Sequence, residues 1–590
     1  MAREKREWMI AEQPMYPIQM GAVREKDGVR FTTVIPYGKQ GFLLLYEGGS
    51  EEATYEIPFP EAPVLGKIHS MKVLGLPCQR YEYNYKIDGQ TVPDTYAAQV
   101  CHNGDSIRCG FLHKRFDWED EKRPSIPYDE AVMYHLHVRN YTMNRKSGVR
   151  KKGTFAGLEE KIPYLKELGI NQIKLMPVYE FEETLKGNKK NCWGYEKGCY
   201  FAPKSSYASS KYADVEFKHM IRTCHQNGIE VLLDFWFAPG TSSKFIADCL
   251  LYWVQEYHVD GFHVIGADET VRLLAADPAF FGVKMLCVYY PEHSLIVEKG
   301  ESKNAAEIND GFLVDARRLL KGDEGALEHL VYRNRRNPAD MAVVNYITNH
   351  DGFTLCDLVS YNQKHNEENQ ESGDDGSDYN FSWNCGVEGP TRKKQIVKLR
   401  ERQKKNAVLM MMLAQGVPML FGGDEFGNSQ LGNNNPYCLD NEISWVAWNQ
   451  YEGQKSFVNF VKNAIAFRKK HPILHMTKEL ALMDYHSYGY PDLSYHSENA
   501  WYGGFEYQSK KVGMMYCEKY SGMEELLYVA YNFHAEEQAF ALPKLPKKWQ
   551  WYKAIDTSEE ESFSQEEALE QTRIFSVPSR TIVVLIGREA

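Results

Sequence analysis

Polar residues directly follow several buried, strand-like runs of this 590-residue sequence, and they are the side chains best placed to do chemistry. A carboxylate can attack or protonate a substrate, a histidine can hydrogen-bond to it, and a tyrosine ring can stack on it. The carboxyl ends of parallel strands in a barrel meet at one mouth, so we expect these residues to share a site. They are Tyr195, Asp234, Asp268, His350, Asp351, Asp424 and Glu425.

Two patterns of hydrophobic residues position these side chains. From about residue 20 to 100, short alternating runs such as YEYNY at 81–85 are separated by Gly, Pro and Asp, which predicts a β-sandwich. From about 130 to 470, near-continuous apolar runs alternate with amphipathic segments, as is typical of parallel βα units. Strand-like runs return near 475 without a long helical pattern.

The predicted fold class is therefore α/β, with a (β/α)8 TIM barrel between two β-sandwiches. We place an N-terminal sandwich at 1–122, the barrel at 130–472 and a C-terminal sandwich at 475–590. A candidate eighth barrel strand is GFLV at 311–314. The seven clearer strands are at 132–134, 170–176, 229–233, 261–264, 283–288, 342–347 and 417–421.

Composition limits the class of ligand. The net charge of −11 comes without a polybasic run, which argues against nucleic acid or an anionic membrane as the main partner. The N-terminus is charged with no apolar region after it, and no run of about 18 apolar residues occurs, so we expect a cytoplasmic protein. The twelve cysteines form no Cys-x-x-Cys spacing, and we expect reduced thiols, no metal and no cofactor.

Three stretches are similar to a known family. They are GIEVLLD at 228–234, VNYITNHDGFTL at 344–355 and GNNNPYCLDNE at 432–442. Together with YHLHVR at 134–139 and SRT at 579–581, they resemble the isoamylase-type glycogen debranching enzymes of the α-amylase family of glycoside hydrolases. The likeness runs through nearly the whole chain and implies that the N-terminal sandwich is of the carbohydrate-binding type.

The resemblance implies a branched α-glucan, such as glycogen or a starch-type oligosaccharide, as substrate class. It also implies hydrolysis of α-1,6 branch linkages with retention, which needs a carboxylate nucleophile and a carboxylic general acid. The family's nucleophile position falls on Ile265, its orienting arginine on His263 and its general acid on Val288. Aliphatic side chains can neither attack nor transfer a proton.

Four other positions keep the family's residue type. By the resemblance, Tyr195 is the platform tyrosine that stacks on the innermost sugar, and Asp234 is the carboxylate of strand three. His350 and Asp351 are the pair on strand seven that binds ring hydroxyls. The asparagine that holds calcium in many α-amylases falls on Ala238, so calcium dependence is not expected.

These observations give three hypotheses. The first is a catalytically inactive homologue that binds α-glucan or pairs with an active debranching-enzyme subunit. The second is an active α-glucan hydrolase that uses displaced acids, for which Asp268, Glu269 and Glu292 are the candidates. The third is a purely structural partner subunit with a filled barrel mouth.

Simpler roles remain open for several residues. Tyr195 could be an ordinary half-buried aromatic residue, and His350 with Asp351 could be a hydrogen-bonded core pair. Asp424 and Glu425 are expected to be structural. The asparagine run at 433–435 suits either sugar hydroxyls or a tight turn, and the long polar loop at 361–387 is expected to be functional.

Overall fold

The structure of the chain is a computed structural model. It describes residues 10–11, 18–48, 50–103, 106–112, 116–184, 190–290, 303–563, 567–569 and 573–590. Glu292, one of the displaced-acid candidates, lies outside the described residues.

The N-terminal part forms two antiparallel sheets, with strand orders β1-β6-β3-β2 and β5-β4-β7-β10-β9, and β8 pairs with β7. Alternating apolar residues of both sheets share one core, in which the rings of Phe31 and Tyr83 meet edge to face at 5.2 Å. The strands are β1 (Ile10–Ala11), β2 (Gly21–Glu25), β3 (Gly28–Val34), β4 (Gly41–Glu47), β5 (Tyr55–Pro58), β6 (Ile68–Leu74), β7 (Tyr81–Ile87), β8 (Gln90–Val92), β9 (Gln99–Asn103) and β10 (Ser106–Gly110).

The central part is a closed barrel of eight parallel strands, which confirms the predicted fold class. A two-stranded antiparallel sheet, β13 (Tyr179–Phe181) with β14 (Gly198–Pro203), projects from it. The barrel strands are β11 (Met133–Leu136), β12 (Gln172–Leu175), β15 (Glu230–Trp236), β16 (Gly261–Ile265), β17 (Lys284–Cys287), β18 (Ala305–Ile308), β19 (Ala342–Asn345) and β20 (Val417–Phe421).

Helices follow the barrel strands, and long ones cover its outside. Asn309 caps α7 by accepting a hydrogen bond from the Phe312 amide, and Gly322 ends the same helix in the left-handed conformation. The helices are α1 (Val138–Met143), α2 (Phe155–Glu159), α3 (Ile162–Leu168), α4 (Ala213–Gln226), α5 (Ser243–Tyr257), α6 (Asp268–Ala275), α7 (Asp310–Lys321), α8 (Leu327–Arg335), α9 (Leu355–Leu358), α10 (Lys394–Met412) and α11 (Lys455–Lys470).

The predicted position of the eighth strand is wrong. Residues 311–314 belong to α7, and the strand that closes the gap is β18, Ala-Ala-Glu-Ile at 305–308. Its two alanines and buried Glu307 give a weak apolar signal, whereas the amphipathic start of α7 reads as an alternating run. Glu307 is tolerated in this wall because Arg336 binds it with two hydrogen bonds of 2.9 and 3.1 Å.

Barrel closure joins the first and last strands. β11 pairs in parallel with β20, and Tyr134 on β11 donates a 2.9 Å hydrogen bond to Glu425, 291 positions further along the chain. At the opposite, amino-terminal end, Lys284 lies 2.7 Å from Glu230. The Tyr134 contact lies in the core outside the barrel, whereas Lys284 and Glu230 close the amino-terminal end of the interior below its apolar middle layer.

The C-terminal part is a six-stranded sheet of order β21-β22-β23-β28-β25-β26, with a second pair of strands, β24 and β27. The strands are β21 (Leu493–His496), β22 (Lys511–Cys517), β23 (Leu526–Asn532), β24 (Gln538–Ala541), β25 (Trp549–Asp556), β26 (Glu567–Ala568), β27 (Ile574–Val577) and β28 (Thr581–Glu589). Both flanking parts are β-rich as predicted, while the boundaries 1–122, 130–472 and 475–590 stay predictions.

Two further expectations concern thiols and membranes. All twelve cysteines are free in the structure, in agreement with the expectation of reduced thiols. Within the described ranges, every helix is too short or too polar to cross a bilayer.

Candidate functional site

Strand register shows which side chains meet at the barrel mouth. His135 on β11 is level with Lys174 on β12, and Asp234 on β15 is level with His263 on β16. All four are buried at the carboxyl ends of their strands. Residues at these positions face the barrel axis, because inward and outward side chains alternate along each strand.

A buried ion pair lies at the centre of the mouth. Lys174 Nζ is 2.7 and 2.8 Å from the two carboxylate oxygens of Asp234, whose side chain is completely buried. Tyr195 donates a 2.7 Å hydrogen bond to Asp234 Oδ2, and His263 Nδ1 lies 3.3 Å from Oδ1. Burial raises the pKa of Asp234, but the Lys174 charge and His263 outweigh it and hold that pKa well below its usual range.

Lys174 also fixes the protonation of two histidines. Its ammonium group can only donate, so His135 Nδ1, 3.1 Å away, is an acceptor. His135 Nε2 therefore carries the proton and donates over 3.1 Å to His350 Nδ1. This leaves the His350 proton on Nε2. Burial and then the Lys174 charge lower the pKa of His350 to about 3, so both rings are neutral near pH 7.

Aromatic rings pack around His350. Tyr195 and Trp193, on the segment between β13 and β14, contact the imidazole, Tyr195 by stacking at 4.9 Å and Trp193 edge to face at 4.9 Å. Gly194 between them has a left-handed φ of 83°, and an added Cβ would lie 2.3 Å from the Phe181 ring. The tyrosine ring is thus placed beside His350 while its hydroxyl reaches Asp234.

Ile265 and Val288 are neighbours on the mouth. The last pair between β16 and β17 is His263 with Leu286, and continuing that register by two residues sets Ile265 level with Val288, which follows the end of β17. Ile265 is half-buried at the last position of β16, and Val288, just after β17, is 44% exposed. Adjacent parallel strands are about 4.8 Å apart, so two apolar side chains stand side by side where strands four and five end.

Two carboxylates at the mouth lie on the other side, after β18 and β19. The Asp351 side chain is exposed. Its pKa is nevertheless raised, mainly by partial burial of the carboxyl group and secondly by the negative charge of Asp310. Asp310 accepts a 2.5 Å hydrogen bond from Tyr346. Asp310 was not among the predicted site residues, because the predicted sixth strand at 311–314 lies six residues after the observed β18. With β18 located correctly, it is the second residue after a barrel strand.

The displaced-acid candidates within the described residues do not extend a strand. Asp268 and Glu269 lie in the first turn of α6, where the positive end of the helix stabilises carboxylates.

Asp424 and Glu425 are buried in hydrogen bonds. Asp424 accepts from Thr348 and the Leu355 amide, and Glu425 accepts from Tyr134 and Tyr164. These last contacts are those of structural carboxylates.

The asparagine run holds the long loop at 361–387. The Asn433 side chain donates a 2.8 Å hydrogen bond to that of Asn369. The Asn434 side chain donates to Asn380 at 2.8 Å, and its amide oxygen accepts from Asn366 at 2.9 Å. Amide pairs of this kind satisfy both donor and acceptor groups. The run therefore orders the loop that borders the mouth.

A narrow crevice opens beside His350 and Trp193. Its cavity volume is only about 20 Å³, enough for one water molecule. Asn140 and Gln430 line it, and each has a buried amide oxygen without a hydrogen-bond partner. His263 Nε2 is likewise buried and unpartnered. The two amide oxygens can accept a hydrogen bond from a hydroxyl group, and so can His263 Nε2, because Nδ1 of this ring donates to Asp234.

Among the residues that the structure describes, no three His, Cys, Asp or Glu ligand atoms converge at the mouth. Ala238 and Pro239 stand after β15 and offer no side-chain ligand. In the part of the chain that the structure describes, the only group of three His, Cys, Asp or Glu ligand atoms lies elsewhere, at His471, Glu518 and Glu525.

The closed barrel, the flanking β-rich parts and the residues at the mouth define a protein of the α-amylase class. The alpha-amylase catalytic-domain family model matches residues 137–248. Isoamylase 3, chloroplastic, of Oryza sativa subsp. japonica is 32% identical over 84% of this chain and 74% of its own length. The glycogen operon protein GlgX homologue of Mycobacterium bovis is 29% identical over 85% of this chain and 82% of its own length. The chain thus belongs to the isoamylase and GlgX-type debranching family.

Solved structures agree with this fold. Pullulanase type I from Bacillus subtilis str. 168, in complex with maltose, superposes with a TM-score of 0.73 over 98% of this chain and 86% of its own, at 19% identity. The product complex of the glycogen-degrading pneumococcal virulence factor SpuA superposes with a TM-score of 0.75 over 97% of this chain and 71% of its own, at 17% identity.

Replacing Lys174 by Met should leave Asp234 buried without its cation. We expect the free energy of unfolding to fall by about 3–5 kcal/mol, measured in urea at pH 7.5. The Lys174→Met, Asp234→Asn double variant should recover part of this loss, because the unpaired charge is gone. Additive losses in the double-mutant cycle would contradict the ion pair.

Acid should destabilise the mouth through His350. Its pKa is about 3 in the folded chain and about 6.5 when unfolded, so between these values only the unfolded chain binds the proton. The free energy of unfolding should therefore fall as the pH drops from 6.5, by about 2 kcal/mol at pH 5 for this group. His350→Gln should shrink the difference between pH 7.5 and pH 5, whereas His486→Gln, on an exposed surface of the C-terminal part, should leave it unchanged.

Proposed function

We propose that this chain is a catalytically inactive member of the debranching family that binds α-glucan at its barrel mouth. The pair Ile265 and Val288 carries the proposal. The register of β16 and β17, continued past the last pair, sets these side chains level at the ends of strands four and five, and the resemblance puts the nucleophile and the general acid at these two positions. Neither can form a covalent intermediate or donate a proton to the leaving oxygen.

The nearest carboxylate does not substitute for them. Asp234 is completely buried and bound by Lys174, Tyr195 and His263, so its lone pairs are already used. A carboxylate whose pKa is held well below its usual range is a poor proton donor at neutral pH. Lys174 also places a positive charge on the barrel axis, where a positively charged sugar would develop during hydrolysis.

Sugar binding does not need those acids. The Tyr195 ring, the His350 Nε2 proton and the exposed Asp351 carboxylate offer stacking, a donor and an acceptor on one side of the mouth. The choice of α-glucan as the ligand rests on the relatives, since one is a glycogen operon protein and the B. subtilis pullulanase binds maltose in its crystal structure. Pairing with an active debranching-enzyme subunit, and location in the cytoplasm, are parts of the proposal that rest on the sequence.

A second candidate is a purely structural partner subunit. The crevice of about 20 Å³ is too small for a glucose ring, and the network around Lys174 fills the axis below it. A glucan would have to lie along the rim, over Trp193, Tyr195 and Asp351. Failure to bind glycogen would favour this candidate.

A third candidate is an active hydrolase with displaced acids. Asp310 and Asp351 favour it, because the charge of Asp310 contributes to raising the pKa of Asp351, and two such carboxylates can act as a pair. Their position after strands six and seven and the hydrogen bond from Tyr346 to Asp310 argue for binding of hydroxyls instead.

Glycogen should retard the purified chain during native gel electrophoresis. Tyr195→Ala and Asp351→Ala should each reduce the retardation at least about tenfold in apparent affinity, because each removes one contact of roughly 1.4 kcal/mol. Tyr37→Ala, at a 95% exposed tyrosine of the N-terminal part, is the matched control and should migrate like the wild type. A wild type that glycogen does not retard would overturn α-glucan binding.

Hydrolysis of glycogen by the wild type should be absent within detection, at least about four orders of magnitude below an active debranching relative assayed in parallel. Release of reducing ends is the measurement. The triple replacement Ile265→Asp, Val288→Glu and His263→Arg should raise the rate above that of the wild type. Activity of the wild type that Asp351→Asn abolishes would establish the displaced-acid enzyme instead.

A further inference from the structure

Three potential metal ligands converge where the barrel meets the C-terminal part. His471 directly follows α11, Glu518 directly follows β22, and Glu525 directly precedes β23. The Glu518 amide donates a 3.1 Å hydrogen bond to the Glu525 carbonyl, which closes the turn between the two strands. The cluster therefore connects the last barrel helix to a turn of the C-terminal sheet.

The ligand atoms are close together and buried. One imidazole nitrogen and one oxygen from each carboxylate lie within 4.8 Å of one another, and His471 Nδ1 is 2.8 Å from Glu518 Oε1. The side chains of His471 and Glu518 are completely buried, and that of Glu525 is 17% exposed. Three atoms of the cluster are buried without a hydrogen-bond partner: His471 Nε2, Glu518 Oε2 and Glu525 Oε2.

Acidic side chains predominate in this cluster, which holds two carboxylates and one imidazole. Arg588 forms a long ion pair with Glu525 from one side, with Nη1 4.0 Å from Oε1. A buried carboxylate oxygen without a partner destabilises the fold, and a cation inside the cluster would remove that penalty.

We propose that His471, Glu518 and Glu525 bind a divalent transition-metal ion of the zinc class, with water as the fourth ligand. An imidazole nitrogen among the donors favours such an ion over Ca²⁺ or Mg²⁺, which prefer oxygen alone. Ligand atoms about 2.1 Å from zinc are roughly 3.4 Å apart at the tetrahedral angle, so the cluster must contract by about 1.4 Å at its widest separation. Glu525, the least buried of the three, can supply that movement by side-chain rotation.

The metal would act as a clip between two parts of the chain. It would hold the end of α11 against the turn between β22 and β23, far from the residues of the barrel mouth. Its role is structural, because the site is buried and leaves little exposed surface through which a substrate could reach the water ligand. The sequence gives no sign of it, since the ligands are 47 and 7 positions apart.

Zinc content and thermal unfolding of the full chain test the proposal. The protein is stripped with EDTA, desalted, exposed to Zn²⁺, desalted again and analysed for bound metal. Glu525→Gln and Glu518→Gln remove ligands, and Glu524→Gln, at an exposed neighbouring position, is the matched control. Because the twelve free cysteines can also bind zinc, the stoichiometry of the site is the difference between the control and each ligand variant.

We expect the control to retain one more zinc per chain than Glu525→Gln, and Zn²⁺ to raise the Tm of the wild type and control only. Equal zinc in the control and both ligand variants would overturn the site, as would an unchanged wild-type Tm. A Tm that rises with Ca²⁺ but not with Zn²⁺ would overturn the assignment to the zinc class. If Glu518→Gln does not fold, Glu525→Gln alone decides, because its side chain is partly exposed.

Discussion

The buried ion pair of Lys174 and Asp234 organises the barrel mouth. A charged lysine on the axis of an apolar barrel requires a carboxylate partner, and Asp234 supplies it with both oxygens. The same carboxylate receives the Tyr195 hydroxyl, and the same lysine sets which nitrogen of His135 carries the proton. The orientation of His350 follows from that choice. One pair of charges thus determines the positions of four further groups, none of which could move without leaving a buried polar atom unpaired.

This arrangement separates binding from catalysis in physical terms. The groups proposed to contact ring hydroxyls are neutral or exposed, and their geometry depends on hydrogen bonds that are complete before a ligand arrives. Bond cleavage would require charge to build up on the axis, next to the Lys174 ammonium and over two aliphatic side chains. Binding of a neutral ligand, as proposed for this mouth, agrees with the net charge and aromatic content of the chain.

Most of the barrel could be predicted because its strands are apolar and its helices amphipathic. β18 could not, because two alanines followed by a glutamate, which pairs with Arg336, lack the continuous apolar pattern of a buried strand. Lys174 was passed over for a related reason: a single polar residue inside an apolar run carries no sign of whether it faces solvent or the axis. Its partner lies on the next barrel strand in space, and that pairing is not visible until the register is known. Tyr195, Asp234 and His350 were predicted to share a site, and the structure brings all three into contact.

Closure of the barrel has a consequence for how the protein is made. β11 completes its sheet only when β20 is present, and the Tyr134 to Glu425 contact spans 291 positions of the chain. While ribosomes synthesise the chain from its N-terminus, an open edge of β11 stays exposed until almost three quarters of the residues have been translated. Such an edge can pair with strands of other nascent chains. Chaperones that shield exposed backbone are therefore expected to matter more for the yield of this protein than for its final stability.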